Sequence, residues 1–223
     1  MTITEQDADT ARMLRELESG SSSARLRAAM AVGTAPDPRF VPGLVRRCAV
    51  EPEFFVRDML TWALTRHPVS MTLPALLAEV RSDGAQARSQ ALHTLSKIGD
   101  GRAWPAITPA LLHDADDEVA RSAWRTAVVL VPAGREAALA TLLATQLGRG
   151  GRETRLSLSQ ALVALGDAIA PVLLAATTAP DPLVRAHALA TQRLLRDPDA
   201  GFEMAIEEAK RVAVQGGPGQ EGR

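Results

Sequence analysis

Apolar side chains recur along this chain at intervals of three and four residues, the spacing that places them on one face of a helix. Short stretches rich in Gly, Pro and Asp break the runs. One phrase returns inside that pattern: an apolar or small residue, an arginine, then an Ala- and Leu-rich run. It stands at Leu26-Arg27, Val56-Arg57, Ala87-Arg88, Ala120-Arg121, Thr154-Arg155 and Val184-Arg185, with the arginines 30, 31, 33, 34 and 30 residues apart. A near-constant period of this length marks a repeat made of one supersecondary unit. Three residues beyond the arginine stand Met30, Leu60, Trp124 and Leu158, and seven beyond it Leu64, Leu95, Val128 and Leu162. That i, i+4 relation predicts one buried face on the first helix, helix A, of each unit.

A second phrase predicts helix B. Val41-Pro42, Leu73-Pro74, Trp104-Pro105 and Ala170-Pro171 fall 15, 17, 17 and 16 residues after the arginines of their own units. Proline in a helix's first turn withdraws an N–H that has no intrahelical acceptor, so each predicts a helix start. Gly99-Asp100-Gly101 and Gly166-Asp167 suit the turn between, since glycine closes one helix in the left-handed region and Asp caps the next. Asp83-Gly84, Asp114 to Asp117 and Pro180-Asp181-Pro182 break the chain between units, and Ser21 to Ser23 cap the first full helix A. The fourth unit departs from the pattern. Ala138 stands where the proline is expected, Pro132 closes the helix before it, and Gly148-Arg149-Gly150-Gly151 predicts the most flexible junction.

The expected class is all-α: a right-handed α-solenoid, or α-α superhelix, of about six helix pairs behind an N-terminal capping helix. A single domain is expected over 1–213. The cap takes about 7–18 and the repeats about 21–50, 51–82, 83–114, 115–148, 149–179 and 180–213, with a closing helix from Phe202 to Val212. A disordered tail is expected over 214–223, where glycine predominates.

Composition narrows the core. Hydrophobic residues make up 46% of the chain but aromatics only 3%, with no Tyr, so Ala, Leu, Val and Met must fill it, which favours helices over strands. A net charge of -1 gives no general attraction to nucleic acid or anionic membrane. The lone Cys48, beside Leu44 and Val45, reads as a small buried hydrophobe. Met1 to Arg12 lacks a signal peptide's apolar stretch, and no run reaches the roughly 18 apolar residues of a membrane span, so a cytoplasmic location is expected.

Two segments carry a family resemblance. Asp181-Pro182-Leu183-Val184-Arg185-Ala186-His187-Ala188-Leu189 and Ile98-Gly99-Asp100-Gly101-Arg102-Ala103-Trp104-Pro105-Ala106-Ile107 resemble the HEAT-like (armadillo-like) repeats first named from phycobilisome lyases. The resemblance covers roughly Ser21 to Ala209. It implies that the repeated arginines Arg27, Arg57, Arg88, Arg121, Arg155 and Arg185 form a structural ladder between layers, with Asp181, Asp117, Glu53 and Asp83 as upstream acids. The first and fifth repeats depart from that acid pattern, which puts Arg27 and Arg155 outside an unbroken ladder.

The candidate chemistry is sparse. His67, His93, His113 and His187 show no metalloprotease spacing; His67 and His113 suit a helix terminus, while His93 and His187 lie within A helices. No phosphate-binding, dinucleotide-binding or nucleophile-elbow glycine motif is present, and Asp114, Asp116, Asp117 and Glu118 do not match a calcium loop. No catalytic residue, cofactor or metal is therefore expected. Trp62, Trp104 and Trp124 read as interior and too few for the aromatic groove of a HEAT-like DNA glycosylase.

Helix B lines the concave side in HEAT-type repeats, which makes Thr108, Thr141, Thr145, Gln146 and Thr177 the candidate binding surface, with Pro109 among them. Arg39, Arg46 and Arg47 offer a basic entrance to it: residues 21–50 carry a local net of +4 against -3 over 1–20, a balance that also fits mutual neutralisation. The expected function is a non-enzymatic scaffold holding another protein or peptide on that face, with nucleic acid disfavoured and no oligomeric state specified. An accessory subunit of a lyase-like modifying complex is the first alternative, and a DNA glycosylase the second.

Overall fold

The structure, a computed structural model, describes residues 3–197. The closing helix expected from Phe202 to Val212 and the tail at 214–223 lie outside the described residues. Among the described residues twelve α-helices run in chain order: α1 Ile3–Leu17, α2 Ser22–Thr34, α3 Val41–Val50, α4 Phe54–Arg66, α5 Val69–Glu79, α6 Ala85–Ile98, α7 Pro109–Leu112, α8 Asp117–Leu130, α9 Glu136–Ala144, α10 Arg152–Val163, α11 Ala170–Ala176 and α12 Pro182–Arg196. Three 3-10 turns, Pro38–Phe40, Gly101–Ala106 and Gly166–Ile169, lie between them, and no strand occurs among the described residues. The described residues are all-α, with A and B helices alternating along them.

It divides into two compact units, Met1–Thr108 with Glu118–Leu130, and Pro109–Asp117 with Val131–Arg223. In the first unit α2 packs on α4 and α4 on α6, the A helices in succession, while α3 contacts α4, α5 and α6 and α1 covers α2. Leu44, Leu60, Leu64, Leu92, Leu95 and Trp124 are fully buried there. Each such side chain contributes about 1.5–3 kcal/mol by leaving water, which a lone helix pair could not secure. Ser21 caps α2 by accepting the Ala24 N–H, and Gly99, at φ 69°, closes α6 in the left-handed region. Gly33 answers a different need: a Cβ there would stand 2.2 Å from the Trp62 ring.

The proline rule holds for two of its four helices. Pro42 and Pro171 sit in the first turns of α3 and α11. Pro74 instead lies inside α5, which already starts at Val69, and Pro105 lies inside the 3-10 turn Gly101–Ala106, ahead of the short α7. Pro68 already stands just before α5, whose start has no side-chain cap, so a later proline marks a helix start only loosely.

In the second unit α9 packs on α7 and α11, α10 on α9 and α12, and α11 on α12, over Leu139, Leu143, Leu158, Leu162, Ile169 and Leu173. The Gly148 to Gly151 junction, expected to be loose, is tied down. Arg149 donates to the Asp117 carboxylate, to Gln146 Oε1 and to the Asp114 carbonyl, and the Gly148 N–H donates to His187 Nδ1. The glycines supply left-handed backbone (Gly148 φ 86°, Gly150 φ 68°) rather than looseness.

Candidate functional site

Four arginines make one recurring contact. Arg25, Arg57, Arg88 and Arg185 each donate from Nη1 to the two carbonyls six and five residues upstream: Ser19 and Gly20, Glu51 and Pro52, Ser82 and Asp83, Ala179 and Pro180, at 2.7–3.1 Å. These carbonyls lie in the turn entering each A helix, so the guanidinium clasps the repeat boundary. The first-repeat member is Arg25, not Arg27, which is exposed. The core positions shift with it: Ala28 and Val32 are buried, while Met30 is 47% exposed. Arg121 bonds Glu118 at 2.8 Å, and Arg155 keeps a buried Nε without a hydrogen-bond partner.

Hydroxyls supply several of the bonds from layer to layer. In the first unit Thr61 meets Thr94 at 3.4 Å, Ser89 meets Ser122 at 3.0 Å, and Thr126 donates to the Leu92 carbonyl at 2.8 Å. In the second, Ser159 meets Thr191 at 2.8 Å and His187 Nε2 at 3.0 Å, and His187 Nε2 also reaches the Arg155 carbonyl at 3.0 Å. Since Nδ1 accepts from Gly148, the proton sits on Nε2. Burial pushes the His187 imidazole down to about 4.

Glu51 is the first unit's polar centre. It is fully buried and accepts Arg25 Nε and Nη2 at 2.6 Å each, Arg47 Nε at 2.8 Å and the Glu53 N–H at 3.0 Å. Its carbonyl takes Gln86 as well as Arg57. Burial alone would raise its carboxyl, but the bonds from Arg25, Glu53 and Arg47 outweigh it and hold the group at about 2.

The residues expected to line a binding face are largely engaged. Arg39 is held by Asp37 and Asp7, and Arg47 by Glu51 and Glu18, while Arg46 is exposed. The cap's acids thus neutralise two of the three arginines. Thr141, Thr145 and Thr177 turn their hydroxyls back onto the Ala137, Leu142 and Leu174 carbonyls of their own segments. Gln146 donates to Thr145, which also meets His113, and Thr108 is exposed. His67 is buried, with ring nitrogens at the Ala63 and Asp37 carbonyls. Trp124 is buried as expected, but Trp62 is 39% exposed.

Two clefts open in the first unit. One, of about 430 Å³, lies among α1, α2 and the turn before α3; its charges are already matched, Arg12 with Asp9 and Glu16, Arg39 with Asp37. The other, of about 280 Å³, runs across the A helices: Phe54, Arg57 and Asp58 from α4, Ser89, Gln90 and His93 from α6, Glu118, Arg121, Ser122 and Arg125 from α8. Arg125 bonds only the neutral Ser122 Oγ, at 3.2 Å. Burial, then the neighbouring Arg121, push the Arg125 guanidinium below its ordinary value against Glu118, and burial with Arg125 and Lys97 lowers His93 against Asp58. Phe54 lines this cleft, 64% exposed, and stands edge to face at 5.6 Å with Phe55, which is 75% exposed. No repeat count or period pointed to this cleft. The signal was present only as the consecutive Phe54-Phe55 at the start of an A helix.

Among the described residues no group of three His, Cys, Asp or Glu side chains suits a metal ion, and no helix is long and apolar enough to cross a membrane. No family model matches the chain, and no curated protein matches it. Among solved structures it is similar to human deoxyhypusine hydroxylase in complex with glycerol, at 17% identity over 95% of this chain and 96% of that chain, with a TM-score of 0.46. That protein is an enzyme, which conflicts with the expectation of a purely non-enzymatic scaffold and corrects it. At this distance the likeness assigns no activity.

Proposed function

We propose that this chain recognises a segment of another protein in the cleft across α4, α6 and α8. The observation that carries the reading is the meeting, at one cleft, of the exposed Phe54 ring, packed edge to face on the exposed Phe55, with guanidinium groups that no carboxylate among the described residues pairs, Arg57 and Arg125. Exposed aromatics beside arginine are the composition of binding hot spots, and such a pair gains most when a partner covers it. The threonines of the B helices offer less, because their hydroxyls are already bonded within their own segments. The resemblance of two segments to the HEAT-like repeats named from phycobilisome lyases supports a module whose helix faces carry recognition. A cytoplasmic setting belongs to the same reading, and the single buried Cys48 is compatible with it.

Fluorescence anisotropy against a panel of labelled synthetic peptides of defined composition tests it, comparing the wild-type protein with the double variant Phe54→Ala, Phe55→Ala. Binding by the wild type that weakens about tenfold or more in the variant is expected, since hot-spot aromatics carry that much. Equal affinity for the two proteins, or no binding by any peptide to the folded wild type, overturns the proposal.

A further inference from the structure

Resting on the reading that this cleft holds a protein segment, we propose that the segment is acidic: a Glu or Asp carboxylate seats on Arg125, with Arg57 adding positive charge to the same cleft, and the adjoining residue lies on Phe54. The charge balance of the lining argues for it. The cleft holds three arginines and two carboxylates, Asp58 and Glu118, a surplus of one positive charge. Glu118 is taken by Arg121 at 2.8 Å. Arg57 gives its Nη1 to two backbone carbonyls, which orient the guanidinium without neutralising it. Arg125 meets only a serine hydroxyl. A planar guanidinium fork is matched by a carboxylate in two parallel hydrogen bonds, and a fork already held by its own backbone loses less freedom on binding.

The same balance separates the candidate anions. A carboxylate brings one negative charge and cancels the surplus. A phosphoryl group brings about -1.5 to -2 and would leave its excess facing Asp58. A nucleic acid strand needs a run of cations along its backbone. Here the surplus is confined to one cleft of about 280 Å³, in a protein whose net charge is -1. His93 and Gln90, on α6 between the two arginine-bearing helices, add neutral donors to the floor. Next to the carboxylate the Phe54 ring offers an apolar shelf, so an aromatic or leucine side chain belongs beside the acid in the ligand.

The test uses the full chain and four labelled twelve-residue peptides that differ only within one adjacent pair of residues: Glu-Phe, Gln-Phe, phosphoserine-Phe and Glu-Gly. The Glu-Phe peptide is expected to bind about tenfold or more tightly than Gln-Phe, with the difference shrinking as salt is raised. Arg125→Gln should bring Glu-Phe down to the Gln-Phe level without changing the melting temperature, and Arg125→Lys should restore only part of it. If Gln-Phe binds as well as Glu-Phe, or Arg125→Gln changes nothing, the acidic preference is wrong. A continued loss in the Phe54→Ala, Phe55→Ala variant would then leave protein recognition standing. Tighter binding of phosphoserine-Phe overturns the carboxylate assignment, and no binding by any of the four to the folded protein sinks both readings.

Discussion

The two compact units fasten their repeats around buried polar centres of opposite character. In the first, Glu51 carries a full charge into the interior and is matched by Arg25 and Arg47. In the second, His187 stays neutral and works through a donor, an acceptor and the Ser159 and Thr191 hydroxyls. Both centres join helices more than twenty-five positions apart along the chain, as Arg25 to Glu51 and Ser159 to His187 do. A charged centre is intolerant of losing one partner, because the remaining charge has nowhere to go. A neutral centre tolerates substitution better but is vulnerable to a proton. The same architectural task therefore creates two different weaknesses.

The largest expected effect tests the charged centre. Glu51→Gln leaves Arg25 and Arg47 buried without a carboxylate and should destabilise the protein by about 3–5 kcal/mol in urea unfolding. A loss under 1 kcal/mol, the range of an ordinary surface change, would mean that the triad is not a support.

Next comes acid. His187 is held at about 4 when folded against an ordinary value of 6.5, so its contribution is complete above pH 6.5 and disappears as pH falls to about 4. The whole effect is on the order of 3 kcal/mol. Glu51 is held at about 2 against 4.5, so its contribution is complete above pH 4.5 and fades only as pH falls through 2. Between pH 6.5 and 4.5, hydrogen exchange corrected for intrinsic rates should show the second unit losing protection, the Gly148 amide first, and losing more than the first unit, where burial also lowers His93 but by less. Equal loss in both units would break the contrast.

Smaller changes sharpen it. Ser159→Ala removes the hydroxyl that both His187 and Thr191 use and should cost about 1–2 kcal/mol by thermal melting; Ser89→Ala, which has a single hydroxyl partner in Ser122, should cost less. At the bottom of the scale, exposed Arg27→Ala should stay within about 0.5 kcal/mol of wild type. Arg25→Ala, two residues away, should not.

Arg25 and Arg27 also show where sequence reading stopped. The helix pairs, the Ser21 and Asp181 caps and the closing Gly99 were legible because each depends on neighbours within a few residues. The arginine period was legible too, but two arginines in one turn of α2 left the register open by two positions. Only packing chose between them, through buried Ala28 and Val32. Glu51 was invisible for a related reason: it sits at the end of α3, outside any periodic position, and its meaning comes from Arg25 twenty-six positions earlier. The hydroxyl bonds escaped because Thr and Ser at those sites look like any helix-surface polar residue until a neighbouring layer covers them. The cleft was read least well. Its lining comes from three A helices, while the reading of the exposed face rested on the B helices, and the Arg39 and Arg47 charges that drew attention were already matched by the cap.

The arginine clasp has a consequence for how the protein comes to be folded. Each clasp closes a loop of only five or six residues, as Arg88 does onto Ser82 and Asp83. Closing so short a loop requires little chain entropy, whereas the hydroxyl contacts, such as Ser89 with Ser122, must bring together segments thirty-three positions apart. Repeat boundaries can therefore be drawn while the chain is still emerging, each by its own arginine, before any layer has a neighbour to lean on. In time as well as in space, the arginines mark where one repeat ends and the next begins, and the hydroxyls then settle which repeat lies against which.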